Sequence, residues 1–151
     1  MALKNKKKIC YVCLSDDILS KSNLKLIEVA SKYGNVIVGL MSDEAIIEYK
    51  SYPLLDYSKR KIIAENLKNV YKVVEQKNRD YTNNLKNLKP DYVIHKKNEW
   101  AEGIQKQIRK KIISTIKTWS GKLIEPKFKI EKDDAFIEFN SNFRRNKLER
   151  L

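Results

Sequence analysis

Histidine is almost missing from this chain: His95 is the only one in 151 residues, and only two cysteines, Cys10 and Cys13, accompany it. A structural zinc site takes four such ligands from paired segments, so the C-x-x-C has no second half. Both cysteines also lie in the apolar run ICYVCL, where strand alternation sends them to opposite faces. They are expected as buried structural thiols, not as a redox pair or metal ligands. Four glycines and three prolines are few for the length, which argues for regular elements joined by short connections. No apolar run approaches the roughly 18 residues of a membrane helix. The start, MALKNKKK, is basic, but the apolar stretch after it is too short for a signal core and ends in a polar SDD. A cytoplasmic protein without a membrane span is therefore expected.

What is present fits one domain with a real core. Apolar residues make up 42% of the chain, above the range of disordered polyelectrolytes. Lysine and arginine outnumber the acids 32 to 19, leaving a formal charge of +13. That sign suits nucleic acid, an anionic surface or phosphorylated small molecules. The lysines are scattered with asparagine and isoleucine throughout, however, so charge alone selects no partner.

Strand-like and helix-like segments alternate. Lys8 to Leu14 and Val36 to Met41 are near-continuous apolar runs, the pattern of strands buried on both faces of a parallel sheet. Between them Leu24, Ile27, Ala30 and Ser31 share a helical face, with Gly34 placed as a C-cap glycine. Ser42 is an N-cap, followed by Asp43 and Glu44, for a short helix ending near Tyr49. A further helix begins near Ser58 and carries Ile62, Ile63 and Leu67. Val70–Val74 reads as strand, Tyr81–Leu88 as helix and Tyr92–His95 as strand. The longest helix spans Glu99–Trp119, with Ile104, Ile108, Ile112 and Ile116 in one row and Gly121 closing it, before a last strand at Leu123–Glu125. This alternation predicts an α/β fold, a Rossmann-like parallel sheet flanked by helices in three layers. Ligands of such sheets sit at the carboxyl ends of the strands, where the strand order switches. The division expected is a domain over 1–126 and an unassigned extension over 127–151, which holds an alternating stretch (Ala135, Ile137, Phe139) and a basic end.

Several segments together resemble the cytidylyltransferase-like family. Asp17, Ile18, Leu19, then Leu24, Lys25, Leu26, Ile27 match its first loop and helix, D-[IL]-[IL]-H-x-G-H-[LI]-x-[LI]-[IL], outside the H-x-G-H core. VIVGLMSDE, then Lys50 and Pro53, then Tyr57 and Arg60, match V-G-[LV]-x-[ST]-D-E, K-x-x-P and Y-x-x-R. KPDYVIH and GKLIEP follow in order, so the similarity covers about residues 7–126. The resemblance implies a nucleotidyltransferase fold that binds CTP and forms CDP-linked products from phosphorylated or phosphonylated compounds, with Mg²⁺ travelling with CTP and no tightly bound cofactor. It also implies a homodimer. The nucleotide-binding positions it implies are Ser15, Asp17, Asn23, Lys50 and Arg60, with no resident metal.

The chain departs from the family where the chemistry belongs. Ser20 and Asn23 replace the two histidines and Ser22 the glycine between them. Serine and asparagine donate neutral hydrogen bonds, whereas an imidazole can become cationic. Asp16 adds a carboxylate beside the phosphate loop, where the family has a small or neutral residue. Lys96, Lys97, Asn98 and Glu99 stand where the family has G-D-D before its tryptophan, and Lys127–Lys132 where it has R-[ST]-x-G-[IV]-S-[ST]. The leading expectation is a pseudoenzyme that keeps weak binding of CTP or a phosphorylated small molecule, or acts as a structural or regulatory partner. One alternative is an active transferase using Lys21, Lys50 and Arg60; another, carried only by charge, is a nucleic-acid-binding module. Ser20, Ser22 and Asn23 equally form an ordinary capping cluster. His95, Trp100 and Trp119 are expected in packing roles.

Overall fold

The structure is a computed structural model that describes residues 7–14, 20–49 and 52–127. The two long apolar runs form β1 (Ile9–Leu14) and β2 (Asn35–Met41), and β3 (Val70–Gln76), β4 (Tyr92–Ile94) and β5 (Lys122–Ile124) follow. Helices α1 (Lys21–Ser31), α2 (Asp43–Tyr49), α3 (Tyr57–Glu65), α4 (Thr82–Leu88) and α5 (Gly103–Lys117) occupy the connections. The sheet order is β3-β2-β1-β4-β5, and every neighbouring pair is parallel. This is the α/β Rossmann-like sheet that the alternation predicts. Among the described residues no helix is long and apolar enough to cross a membrane.

Strand β1 is central because it is apolar on both faces. Cys10, Val12 and Leu14 pack with Leu26, Ile27 and Ala30 of α1, while Tyr11 faces Tyr81, Leu85, Trp100, Ile112 and Ile116 on the other side. Cys13 joins that second side, so the two cysteines do lie on opposite faces, and neither is in a disulfide. Burial, and then the Asp91 carboxylate, push the Cys10 thiol up to about 11, as befits an inert core residue. Asp91 also accepts a hydrogen bond from the Ile9 amide at 2.9 Å, which ties the start of β4 to the start of β1.

Four details differ from the sequence reading. The buried face of α1 is Asn23, Leu26, Ile27 and Ala30, of which Leu26, Ile27 and Ala30 pack against β1 and β2, and Leu24 is exposed. Gly34 is not a left-handed cap; a Cβ there would stand 2.2 Å from the Lys8 carbonyl oxygen, so the need is close approach of two backbones. At the end of α5 the left-handed residue is Ser120 (φ 63), one position before Gly121. The long helix itself begins later than expected: a 3-10 turn covers Lys97–Trp100 and α5 starts at Gly103. Its isoleucine row therefore runs off the sheet, with Ile112 and Ile116 buried and Ile104 exposed. Of the extension, residues 128–151 lie outside the described residues.

One glycine has a packing reason that bears on the site. Gly39 on β2 faces the Tyr11 hydroxyl, and a Cβ there would stand 1.8 Å from it. That hydroxyl donates to Gln76 Oε1 at 2.7 Å and accepts from Asn84 Nδ2 at 3.1 Å, joining three elements under the carboxyl end of the sheet. Gly39→Ala must displace a buried tyrosine and break this network. Overpacking of this kind destabilises by about 1–3 kcal/mol. Urea unfolding of the variant is expected to show a lower midpoint at an unchanged slope.

Candidate functional site

The connection after β1 leads to α1 on one face of the sheet, and β4, its neighbour on the other side, leads to the 3-10 turn and α5 on the opposite face. The strand order switches between β1 and β4, and the crevice in which doubly wound sheets bind ligands lies at the carboxyl ends of such strands. The amino end of α1 lies on this side, within reach of the residue that follows β4. Ser20 is the N-cap: its Oγ accepts from the Asn23 amide at 3.1 Å. No acidic residue lies in the first turn, so the positive end of this helix dipole is not countered by its own side chains.

Lys96 follows β4 directly and reaches back across the crevice. Its Nζ donates to Ser22 Oγ at 3.0 Å and Asn23 Oδ1 at 3.1 Å, and pairs with Glu99 Oε1 at 3.1 Å. Three N–H groups thus meet three acceptors, and the side chain is 14% exposed. An ammonium at a helix amino terminus is electrostatically uphill by about 0.3–1 kcal/mol, and Glu99 offsets that. Among the described residues, the ammonium has one anion, Glu99, beside it.

His95 lies beneath this pair. Its ring stacks on Trp100 at 3.5 Å with planes 5° apart, its Nδ1 is 3.0 Å from the Tyr81 hydroxyl, and Glu99 Oε2 is 3.6 Å from Nε2. Burial, and then the Lys96 ammonium, lower its pKa from 6.5 to about 3 against the attraction of Glu125. It is a neutral ring at neutral pH. The Tyr81 hydroxyl and His95 Nδ1 share one hydrogen bond, whose direction follows the tautomer of the ring. Trp100 is itself fixed, donating from Nε1 to Glu125 Oε2 at 2.8 Å, and Arg109 pairs with the same carboxylate at 2.7 Å. Those donors hold Glu125 below the usual carboxylate range, the Arg109 bond most of all.

Arg60 belongs to a different part of the carboxyl edge. It is 1% exposed and donates to the Met41 carbonyl at 2.7 Å, the Leu55 carbonyl at 3.0 Å and Asp43 Oδ1 at 2.7 Å. Asp43 Oδ2 accepts from the Tyr57 amide at 3.1 Å. The guanidinium therefore joins the end of β2 to α2 and α3. Further along, a hollow of about 450 Å³ opens between α2, the β3–α4 connection and α5, with Arg79, Asp80 and Lys111 among its walls.

Against known proteins, the cytidylyltransferase-like family model matches residues 17–137. The chain belongs to the cytidylyltransferase-like family. Among solved structures it is similar to the lipopolysaccharide core biosynthesis protein from Thermoplasma volcanium GSS1, at a TM-score of 0.65 and 16% identity over 82% of this chain and 100% of that one. A universal stress protein in complex with cAMP matches more remotely, with a TM-score of 0.42 and 11% identity over 79% of this chain and 95% of that one. A search of curated protein sequences finds no match.

The family motifs acquire physical meanings here. The aspartate of S-D-E and the arginine of Y-x-x-R are Asp43 and Arg60, and they are partners in an ion pair in which the guanidinium is buried and the carboxylate partly exposed. Of the nucleotide-binding positions implied by the resemblance, Asn23 is brought to the crevice and Arg60 to the β2 end, while Ser15, Asp17 and Lys50 lie outside the described residues. Lys21 opens α1 on its exposed side. Trp119 donates to the Pro90 carbonyl at 2.8 Å and, like Trp100, packs in the core beneath α5. Among the described residues no three His, Cys, Asp or Glu side chains cluster to hold a metal ion. The residues that sequence reasoning missed are Lys96 and Glu99, which looked like the debris of a lost motif. The available signal was topological: a lysine directly after a strand beside β1 must border the switch point.

His95 provides a pH test. Its folded pKa is lowered to about 3 from 6.5, so the unfolded chain takes up the proton first. The stability this neutral ring allows is present above about pH 6.5 and is lost as pH falls from there towards 3. At pH 4 the loss from this one group is on the order of 3 kcal/mol, at 1.36 kcal/mol per unit. Denaturant unfolding of His95→Gln is expected to show a shallower decline between pH 6.5 and 4 than the parent chain. Equal slopes would mean that the ring already titrates near its ordinary value.

Proposed function

We propose that this domain binds the phosphates of CTP or a phosphorylated small molecule at the crevice between β1 and β4, and that its transferase chemistry is impaired. The observation that carries the reading is Lys96, held by Ser22 and Asn23 at the amino end of α1. Helix amino termini attract anions through their unpaired N–H groups and dipole, and an ammonium at the same place deepens that attraction. A cation stationed where a cation is unfavourable gains most when an anion joins it.

Impaired chemistry follows from what the other groups do. In the family, two imidazoles steady the charge that develops on the phosphoryl groups. Here Ser20 is engaged as a helix cap, Asn23 accepts from Lys96, and neither can carry charge. Each aimed donor lost at a transition state costs about 3–4 kcal/mol. Lys96 returns one positive charge, but its donors are already directed at other acceptors, so the site is not preorganised for a transition state. His95 is no substitute, since it is buried, neutral and stacked on Trp100. Binding survives such losses better than catalysis does, because it needs net positive potential and not aimed donors.

Calorimetric titration with CTP, with and without Mg²⁺, tests the binding half. The parent chain is expected to bind, and Lys96→Met to bind at least about tenfold more weakly, one charge-assisted hydrogen bond being worth roughly 1.5–3 kcal/mol. No heat at millimolar CTP would end the reading. Pyrophosphate release with a panel of phospho-alcohols and phosphonates is expected to stay near background. Turnover within the ordinary enzymatic range of roughly 1–1000 per second would overturn the impairment.

A further inference from the structure

Glu99 is the acid that a ligand at this crevice must displace. Lys96 has three acceptors for its three N–H groups, and two of them, Ser22 Oγ and Asn23 Oδ1, are neutral groups on α1. The third is the Glu99 carboxylate, whose side chain is 44% exposed against 14% for Lys96. Glu99 is therefore the partner that can swing into water, while the two α1 acceptors stay with the helix. Its other oxygen lies 3.6 Å from a neutral histidine, a contact too long and too weak to hold it in place. Among the described residues, the arrangement is an ammonium at the positive end of a helix, covered by one retractable carboxylate.

We propose that Glu99 acts as a built-in competitor that sets the charge threshold of the site, so that phosphates carrying two or more negative charges bind and singly charged esters do not. The inference rests on the reading of Lys96 as the phosphate-facing cation. Exchanging a carboxylate for a monoanionic ligand replaces one unit charge by another and gains little Coulomb energy, yet association still loses translational and rotational freedom. A dianion or polyphosphate brings charge beyond what Glu99 supplied, and that surplus faces both the ammonium and the α1 amino end. Phosphomonoesters, at about −1.5 to −2 near neutral pH, and nucleoside triphosphates pass this threshold; phosphodiesters and simple carboxylates fall below it.

The test keeps the nucleoside constant and varies the charge. CTP, CMP and cytidine 3′,5′-cyclic monophosphate are titrated calorimetrically at one pH and ionic strength into the parent chain, Glu99→Gln and Lys96→Met. Glu99→Gln keeps the shape and a neutral acceptor for Lys96; Glu99→Ala is the second variant, and thermal melting checks that each is folded. In the parent chain the cyclic ester is expected to bind at least about tenfold more weakly than CMP. In Glu99→Gln the affinities of all three ligands are expected to rise by a similar factor of about ten, one charge-assisted contact, because none has a carboxylate left to displace. The cyclic ester, below threshold in the parent chain, should thereby become a measurable ligand in both Glu99 variants. Unchanged or weaker binding of all three ligands in folded variants would overturn the role of Glu99 while leaving the crevice as a phosphate site. Absence of binding by any ligand to the parent chain and every variant would remove the site, and this inference with it.

Discussion

Pairing between β1 and β4 is the constraint on which the rest depends. Cys10, Tyr11 and Val12 run beside Tyr92, Val93 and Ile94, although more than 80 residues separate them along the chain. Since β1 also pairs with β2 on its other edge, the connections leaving β1 and β4 part to opposite faces of the sheet. The side chain just past β4 then faces the first turn of the helix just past β1. Lys96 meets Ser22 and Asn23 for that reason alone. The pairing in turn requires β1 to be apolar on both faces, so the continuous run Ile9–Leu14 underlies the crevice as much as the core.

Around that crevice the chain divides support from chemistry. Support is complete. Asp43 and Arg60 lock the end of β2 to α2 and α3; Glu125 gathers Trp100 and Arg109; Tyr11, Gln76 and Asn84 form a satisfied polar network under Gly39. Buried polar groups with all partners present fix one arrangement and are costly to break. At the amino end of α1, Ser20 is a helix cap and Ser22 and Asn23 accept from Lys96.

Electrostatics at the crevice is local and does not follow from net charge. The chain carries +13 overall, but most of its lysines lie on exposed surfaces, where screening acts within about 10 Å. Lys96 differs in being largely sheltered and in sharing its position with a helix dipole and with one carboxylate. The same ammonium helps keep His95 neutral, so a single side chain sets the charge of two neighbouring groups.

The amino-acid sequence by itself determined the element order, the parallel α/β class and the opposite facing of Cys10 and Cys13, because buried strands and amphipathic helices write their periods directly into local composition. It also carried the family motifs. The burial of Asn23 in place of Leu24, the late start of α5 and the true reason for Gly34 depended on tertiary packing, in the case of Gly34 on close approach to the Lys8 backbone, distant in sequence. So did the site. Lys96 and Ser22 are 74 positions apart, and nothing in the local pattern KKNEW distinguishes a bridging lysine from a solvated one. Only the sheet order, which is a property of the whole chain packing around β1, brings the two together.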